Sequence, residues 1–329
     1  MMRILYRLGL CLAGLCLAIL TACNSQSTPN GATPNASPMQ RGESAGMNHS
    51  KKINLNNAIL SELDKIEGLL GIPALSNKIQ ASRPYGKPEE LVSKNVMSQA
   101  QFDKIKDMVT IEEVVLTGEA KDLDYLVKLG LMKGHMMVAK ELLDLGKPDQ
   151  AEPHIGHPVE EIYADVEDQL QERGVPEFKK QLMALQDLVK AGAKNKDTVA
   201  ANYATSIKSI DAAIAKLPET QRTTPKFALQ WMTGLLETAK DEYSAAIADG
   251  KVKEVIEYQD SRGFVAYSNE LYQAIAPKLS EAQRVKVTTA LKDLKAVWPA
   301  PIPPSKPVKT PEQVTALVKT IELATQDVN

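Results

Sequence analysis

Residues 53–111 read INLNNAILSELDKIEGLLGIPALSNKIQASRPYGKPEELVSKNVMSQAQFDKIKDMVTI, and this stretch decides the fold. It contains two copies of one pattern, in which a short helical run is followed by a turn. The first turn carries Gly68 and Gly71, and the second is Asn95-Val96-Met97. Glycine and asparagine tolerate the left-handed backbone that a tight turn requires. The pattern therefore predicts two consecutive helical hairpins.

This stretch resembles the tandem helix-hairpin-helix unit of the competence protein ComEA family. It resembles equally the unit of the extrinsic twelve-kilodalton subunit of photosystem II, which holds protein rather than DNA. In the DNA-binding versions, a Gly-hydrophobic-Gly turn lets backbone amides at the next helix approach a phosphate. The resemblance implies that the residues around the two turns face the partner, whether DNA or protein. These residues are Gly68, Gly71, Lys78, Asn95 and Lys104.

Two features of the hairpins count against DNA. Gly68 and Gly71 are spaced more widely than in the family pattern, and Met97 adds bulk where an amide would face phosphate. Residues 51–111 contain nine Lys/Arg and seven Asp/Glu, a net charge of +2, whereas six or more phosphate contacts usually need a stronger basic patch. We therefore expect the module, residues 51–113, to dock a protein partner or the chain's own helices. Weak DNA binding is the alternative.

The first 22 residues have the layout of a signal peptide. Arg3 and Arg7 precede an apolar run that ends in Leu20-Thr21-Ala22-Cys23, and this ending resembles a bacterial lipobox. In lipoproteins of that class, cleavage precedes the cysteine, which then receives lipid. The resemblance implies lipidation of Cys23; a plain secretory signal or a short membrane anchor are the alternatives.

The expected mature chain has further consequences. Residues 23–50 are rich in Ser, Pro, Asn and Gly, so we expect a flexible tether. Asn24 is not the aspartate that retains many lipoproteins in the inner membrane, which favours an outer-membrane anchor facing the periplasm. Cys11 and Cys16 would leave with the signal peptide, so no disulfide is expected.

The sequence of the remainder, residues 114–329, predicts a helical bundle. We therefore expect an all-α fold for the whole chain. Only 5% of residues are aromatic, and the composition favours helix. Gly130 and Gly134 are four apart on the first long helix, which suggests close approach of a neighbouring helix. Ser280 and Gln283 have the spacing of a capping box. Residues 297–310 predict a proline-rich strap before a C-terminal helix. The helices are predicted over residues 121–145, from Pro158 to about 173, and over 177–191, 196–217, 225–248, 252–276, 280–298 and 310–324.

Three of the four histidines fall within a short part of the chain, at His135, His154 and His157. If the loop before Pro158 folds down beside the first long helix, two or three imidazoles converge. Glu160 or Glu161 would then complete a site for zinc, copper or iron, and the adjacent methionines Met136 and Met137 extend the alternatives to haem.

A purely structural role is the alternative for each of these residues. His135 would be a core histidine, His157 would cap a helix opened by Pro158, and Glu160 and Glu161 would favour its dipole. The sequence Gly156-His157-Pro158-Val159-Glu160 is similar to the Gly-x-His-x-x-Glu motif of imelysin-type iron-uptake proteins, but it lacks the residue between glycine and histidine.

No catalytic motif is visible in the sequence, so we expect a protein that is not an enzyme. Glu254, Glu257 and Asp260 predict a solvated helix face. The main functional hypothesis is a lipid-anchored, exported, non-catalytic binding or scaffolding protein with a protein partner. A DNA receptor of the competence type and a metal- or haem-binding protein are the alternatives.

Overall fold

Helices provide nearly all the regular structure of this chain, and the all-α prediction is confirmed. The structure is a computed structural model that describes residues 52–112, 115–326 and 328, except for the side chain of Ser61. Cys23, the signal peptide and the tether lie outside the described residues. Their assignments therefore stay predictions.

Two short strands at the two ends of the helix-hairpin-helix module, β1 (Ile53–Asn54) and β2 (Val109–Thr110), pair with each other. Strands β1 and β2 pair in parallel, with Ile53 opposite Val109 and Asn54 opposite Thr110. Side chains from both hairpins, among them Leu63, Ile79 and Phe102, fill a small apolar core between them. The elements are β1 (Ile53–Asn54), α1 (Leu60–Leu70), α2 (Leu75–Ala81), α3 (Glu90–Ser93), α4 (Gln99–Ile105) and β2 (Val109–Thr110).

The turns of the module differ in part from the prediction. Gly71 ends α1 in the left-handed conformation, with φ of 64°, and Asn95 has φ of 56°, as its residue type allows. Gly68 does not belong to the first turn, because it lies within α1. The first turn therefore begins three residues later than the glycine spacing suggested.

The bundle follows from residue 115 onward. A short antiparallel strand pair links its two central helices. The elements are α5 (Gly118–Asp144), α6 (Pro148–Ala151), α7 (Pro153–His157), a π-helical turn (Pro158–Ile162), α8 (Tyr163–Glu172), α9 (Lys179–Lys190), α10 (Lys196–Ile214), α11 (Glu219–Arg222), α12 (Pro225–Ala246), β3 (Ile247–Ala248), β4 (Lys251–Val252), α13 (Val255–Ile275), a 3-10 turn (Ala276–Lys278), α14 (Glu281–Lys295) and α15 (Pro311–Gln326).

Two local predictions for the bundle are confirmed and one is wrong. Ser280 and Gln283 form the capping box at the start of α14, and residues 299–310 form a strap without helix or strand. Pro158 does not open a helix. The chain is already helical from Pro153, and the missing N–H of Pro158 is accommodated by a π turn that Tyr163 closes by donating to the Pro158 carbonyl.

Helices α5 and α13 cross at two glycines, so the predicted close approach is confirmed. A Cβ atom added to Gly263 would lie 2.2 Å from the carbonyl oxygen of Gly134. Gly130 meets the side chains of Trp231 and Leu235 from α12 in the same way. The crossing brings His135, which follows Gly134, into contact with Asp260, which lies one turn before Gly263, and so positions the site described below.

The module packs against the bundle through α1. Gly68 faces α12, where an added Cβ would lie 3.1 Å from the Cβ of Ser244. Lys65 and Asp241 form an ion pair at 3.6 Å, and Ile59 belongs to the apolar core of the bundle. Residues Ser50–Asn329 accordingly form one compact unit. None of the described helices is long and apolar enough to cross a membrane.

Candidate metal centre

Side chains from α5, α7 and α13 converge at one point inside the bundle. The Nε2 atom of His135 lies 3.2 Å from Oδ1 of Asp260 and 3.3 Å from Nδ1 of His157. The same Nδ1 of His157 lies 3.3 Å from Oδ2 of Asp260. One nitrogen from each imidazole and the carboxylate therefore share a single centre.

The orientation of His135 is set by its own helix. Its Nδ1 donates a hydrogen bond of 2.8 Å to the carbonyl of Leu131, one turn earlier in α5. The ring also packs edge-on against Phe264. This bond fixes the ring so that its other nitrogen, Nε2, faces the centre, as in metal-ligating histidines.

His157 occupies the last position of α7, directly before the π turn at Pro158. Burial disfavours its charged form, but the hydrogen bond and charge of Asp260, with Glu161 and Glu257 nearby, outweigh burial and raise its pKa to about 9. Without a metal, a proton thus fills the position between His157 and Asp260.

His154 is not a third ligand, contrary to the three-histidine hypothesis. Its Nδ1 donates to Oδ1 of Asp260 at 2.6 Å, and its Nε2 to Oε1 of Gln259 at 2.9 Å. The amide of Gln259 is oriented in turn by donating to the carbonyl of Pro301 at 3.0 Å. Both nitrogens of His154 are occupied, so it holds Asp260 in place instead of facing the centre.

The two glutamates proposed as ligands point to other partners. Glu160 is exposed and accepts a hydrogen bond from Gln186 at 3.1 Å. Glu161 lines the cavity beside the centre, but its carboxylate accepts the backbone N–H of Leu60 at 3.2 Å. The carboxylate that completes the centre is Asp260.

Asp260 was missed because its acidic neighbours suggested a solvated face, and this expectation is wrong. Asp260 is only 2% exposed. Burial alone would raise its pKa, but the adjacent His135 and His154 hold the pKa well below its usual range. The sequence of α13 does indicate that Asp260 is buried, since helix periodicity places it on the same face as the apolar Phe264 and Tyr267.

The distances among the ligand groups are close to those around a transition metal. With bonds of about 2.0–2.1 Å, the ligands of a tetrahedral ion lie about 3.3 Å apart. The two imidazole nitrogens lie 3.3 Å apart, and each lies 3.2–3.3 Å from one oxygen of Asp260, Oδ1 for His135 and Oδ2 for His157. Imidazole nitrogen suits zinc, copper, iron and nickel, and two histidines with one carboxylate are the ligand set of many non-haem Fe(II) sites.

A cavity of about 170 Å³ opens beside the centre, lined in part by α1 of the module. Its volume is below the roughly 300–1,000 Å³ of drug-sized pockets, which favours an ion over haem at this position. Among the described lining residues, no lysine or arginine offsets the carboxylates, and the cavity therefore attracts cations. The carboxylates are Asp64, Glu161, Glu242, Glu257 and Asp260.

Burial shifts the pKa of three of these carboxyl groups upward. Burial, reinforced by the neighbouring carboxylates, raises the pKa of Asp64 and of Glu242 well above the usual range. Burial, together with the charge of Asp260, raises the pKa of Glu257 to about 7.

The amides that would meet phosphate in a DNA-binding hairpin are occupied within the module. Glu67 accepts the backbone N–H of Ala74 and of Ser76, both at 2.9 Å, at the start of α2. At the second hairpin, the N-terminus of α4 is closed by the capping box of Ser98 and Gln101.

The lysines proposed for partner binding differ in their surroundings. Lys78 donates to the carbonyl of Val96 at 2.9 Å and thereby ties the two hairpins together. Lys104 is exposed on α4. Gly68 contacts the bundle, so it is not available to an external partner.

Comparison with known proteins identifies two regions of the chain. Residues 48–110 match the family model of the helix-hairpin-helix motif. Residues 218–329, which contain Glu242, Glu257 and Asp260, match the model of the iron permease-associated 4-helix bundle domain. No curated protein and no solved structure gave a significant match. His135 and His157 lie outside both matched regions.

Proposed function

We propose that this protein is a non-catalytic binding protein for a divalent transition metal, held by His135, His157 and Asp260. The observation that carries the proposal is the convergence of one nitrogen of His135 and one of His157, 3.3 Å apart, on the two carboxylate oxygens of Asp260, each nitrogen 3.2–3.3 Å from one of them. These distances are close to the spacing of ligands around a tetrahedral metal. Iron is the favoured ion, because the matched family is iron permease-associated and contributes Asp260.

The module serves this function as part of the cavity wall. Leu60 and Asp64 of α1 line the cavity, and the N–H of Leu60 binds Glu161 of the bundle. The occupied amides at α2 support docking to the bundle rather than binding to DNA.

The proposed setting is outside the cytoplasm, anchored by lipid on Cys23. The lipobox-like sequence supports this setting, and so does the match to a domain whose description names an iron permease. The protein would hold the ion, or pass it to a partner protein at the membrane.

The test is metal binding by the purified, metal-stripped full chain. Fe²⁺ without oxygen, Co²⁺ and Zn²⁺ are titrated by calorimetry, and bound metal is counted by elemental analysis. We expect at least one ion per chain, with His157→Ala weakening binding at the centre more than 100-fold. Glu160→Ala is the matched control and should bind as the wild type does, because Glu160 is exposed and does not line the cavity.

The visible spectrum of bound Co²⁺ reports the ligand set and should change in His157→Ala. A wild type that binds none of the three ions would overturn the proposal. Equal binding by the wild type and His157→Ala would show that the metal is held elsewhere.

A further inference from the structure

The geometry points to the proline-rich strap, residues 299–310, as a part of the metal centre, with Gln259 as the positioning residue that connects the two. The inference rests on the proposed function, because it assigns a support and a means of regulation to the ion at that centre. The strap acts through two buried residues that lie between it and the ligand Asp260. These residues are Gln259 and His154.

The two residues of α13 before Asp260 hold the strap. The hydroxyl of Tyr258 donates to the carbonyl of Ala300 at 3.3 Å. The side-chain amide of Gln259 donates to the carbonyl of Pro301 at 3.0 Å. Both side chains are buried, so breaking either bond would leave a polar group without water, at a cost of about 1–3 kcal/mol.

The two residues after Asp260 hold the residue that leads into the strap. The indole of Trp298 donates to the hydroxyl of Ser261 at 2.7 Å, and Arg262 donates to the backbone carbonyl of Trp298. The four neighbours of Asp260 in α13 thus all contact one short piece of chain, residues 298–301, whereas Asp260 itself faces the histidines of the centre.

The orientation of Gln259 follows from its contact with the strap, because a backbone carbonyl can only accept a hydrogen bond. Its Nε2 donates to the carbonyl of Pro301 and to Oε1 of Gln150, the latter at 3.2 Å. Its Oε1 is therefore turned toward His154 and accepts from Nε2 of that ring at 2.9 Å. The strap carbonyl thereby sets the orientation of the imidazole through Gln259.

His154 passes this orientation on to the ligand. Its Nδ1 donates to Oδ1 of Asp260 at 2.6 Å. A hydrogen bond on one oxygen restrains rotation of the carboxylate, so both oxygens keep their distances to His135 and His157. Hydrogen bonds of this kind orient metal ligands, and their loss weakens metal binding about 10- to 100-fold.

The coupling must act in both directions. A strap that strengthens metal binding by holding Asp260 is itself held more firmly when metal is bound, by the same factor. Bound metal should therefore reduce local opening of the strap, and release of the strap should release the ion more readily.

The first experiment titrates the metal-stripped full chain and its variants with Co²⁺ and Zn²⁺. Gln259→Leu removes the connection at similar volume, and should weaken binding about 10- to 100-fold and change the visible spectrum of bound Co²⁺. His154→Asn keeps a donor near the place of Nδ1, so it should bind metal more tightly than His154→Leu. A role in packing alone would predict neither the spectral change nor this rescue.

The matched control is Tyr243→Phe. It removes a hydrogen bond of 2.7 Å to the other end of the strap, at the carbonyl of Lys309, and leaves the path through Gln259 intact. It should bind both metals as the wild type does. A loss of affinity equal to that of Gln259→Leu would show that this path does not connect the strap to the centre.

A second measurement follows the strap itself and needs no variant that must fold. A lysine-specific protease cleaves after Lys306, which is exposed, when the strap opens locally. Saturating Zn²⁺ should slow this cleavage about fivefold or more in the wild type and leave its rate unchanged in Gln259→Leu. Cleavage of the wild type at one rate with and without Zn²⁺ would contradict the coupling.

The outcomes separate this inference from the proposed function. Wild-type affinity and spectrum in both Gln259→Leu and His154→Leu, with binding lost in His157→Ala, would overturn the role of the strap and leave the metal centre intact. A wild type that binds neither metal would overturn both.

Discussion

At the scale of single residues, Glu67 determines what the first hairpin can bind. Its carboxylate accepts the two backbone N–H groups at the start of α2 and contacts the hydroxyl of Ser76. A phosphate would use the same amides in a DNA-binding hairpin. The carboxylate of Glu67 thus binds the amides that a phosphate would need, and it stabilises the turn by the same hydrogen bonds.

Replacing Glu67 by alanine should destabilise the protein by about 2–4 kcal/mol, because buried donors that lose their acceptor each cost about 1–3 kcal/mol. Urea unfolding followed by circular dichroism measures the loss. Glu67→Gln keeps one acceptor oxygen and should lose less. Glu89→Ala, at an exposed position of the same module, should change the free energy of unfolding by less than about 0.5 kcal/mol. Equal effects of Glu67→Ala and Glu89→Ala would contradict the role given to Glu67.

At the scale of elements, the crossing of α5 and α13 positions the candidate metal centre. His135 follows Gly134 directly, and Asp260 lies one turn before Gly263. Since the two glycines let the helix backbones touch, these neighbouring side chains come within 3.2 Å of each other.

The variant Gly263→Ala tests this crossing. The new methyl group would meet a backbone carbonyl that cannot rotate away, so we expect a loss of about 2 kcal/mol or more in stability. Metal affinity should fall as well, because His135 and Asp260 are pushed apart. Gly146→Ala is the control: it lies in open space with φ of 68°, and should cost about 1 kcal/mol without changing metal affinity. Full metal affinity in Gly263→Ala would contradict this account.

The two hairpins of the module should bind duplex DNA weakly or not at all. The N-terminal amides of α2 and α4 are already occupied, and the module has a net charge of only about +2. Fluorescence anisotropy at about 150 mM salt should show micromolar or weaker affinity without sequence preference. A submicromolar complex that Lys104→Ala abolishes would refute this prediction.

At the scale of the whole molecule, residues 50–329 form one unit in which the module closes part of the cavity. The predicted tether would place this unit at a distance from the membrane. Cys23→Ser should therefore accumulate as an unprocessed precursor, because lipid attachment precedes cleavage in the class of proteins that the signal resembles. Mass spectrometry of the wild type should find an acylated cysteine at the mature N-terminus. A normally cleaved chain without an acyl group would disprove the anchor.

Local structure followed from the sequence because its causes are local. Helix periodicity, the left-handed turn at Asn95 and the capping box at Ser280 depend on residues within a few positions of each other. The close approach at Gly134 was also predictable, since glycine inside a helix is unfavourable without a packing reason. The prediction that Pro158 opens a helix was wrong, because a proline inside a π turn has the same local sequence as one at the start of a helix.

The candidate metal centre could be recognised only from the tertiary structure. The sequence alone determined that His135 and His157 were candidates, because histidines are few and these two are close along the chain. Only the fold decided that His154 supports the centre and that Asp260, 103 positions after His157, completes it. The reason is that burial and the distances between side chains depend on which helices pack together, and no local pattern in α13 specifies that α5 and α7 are its neighbours.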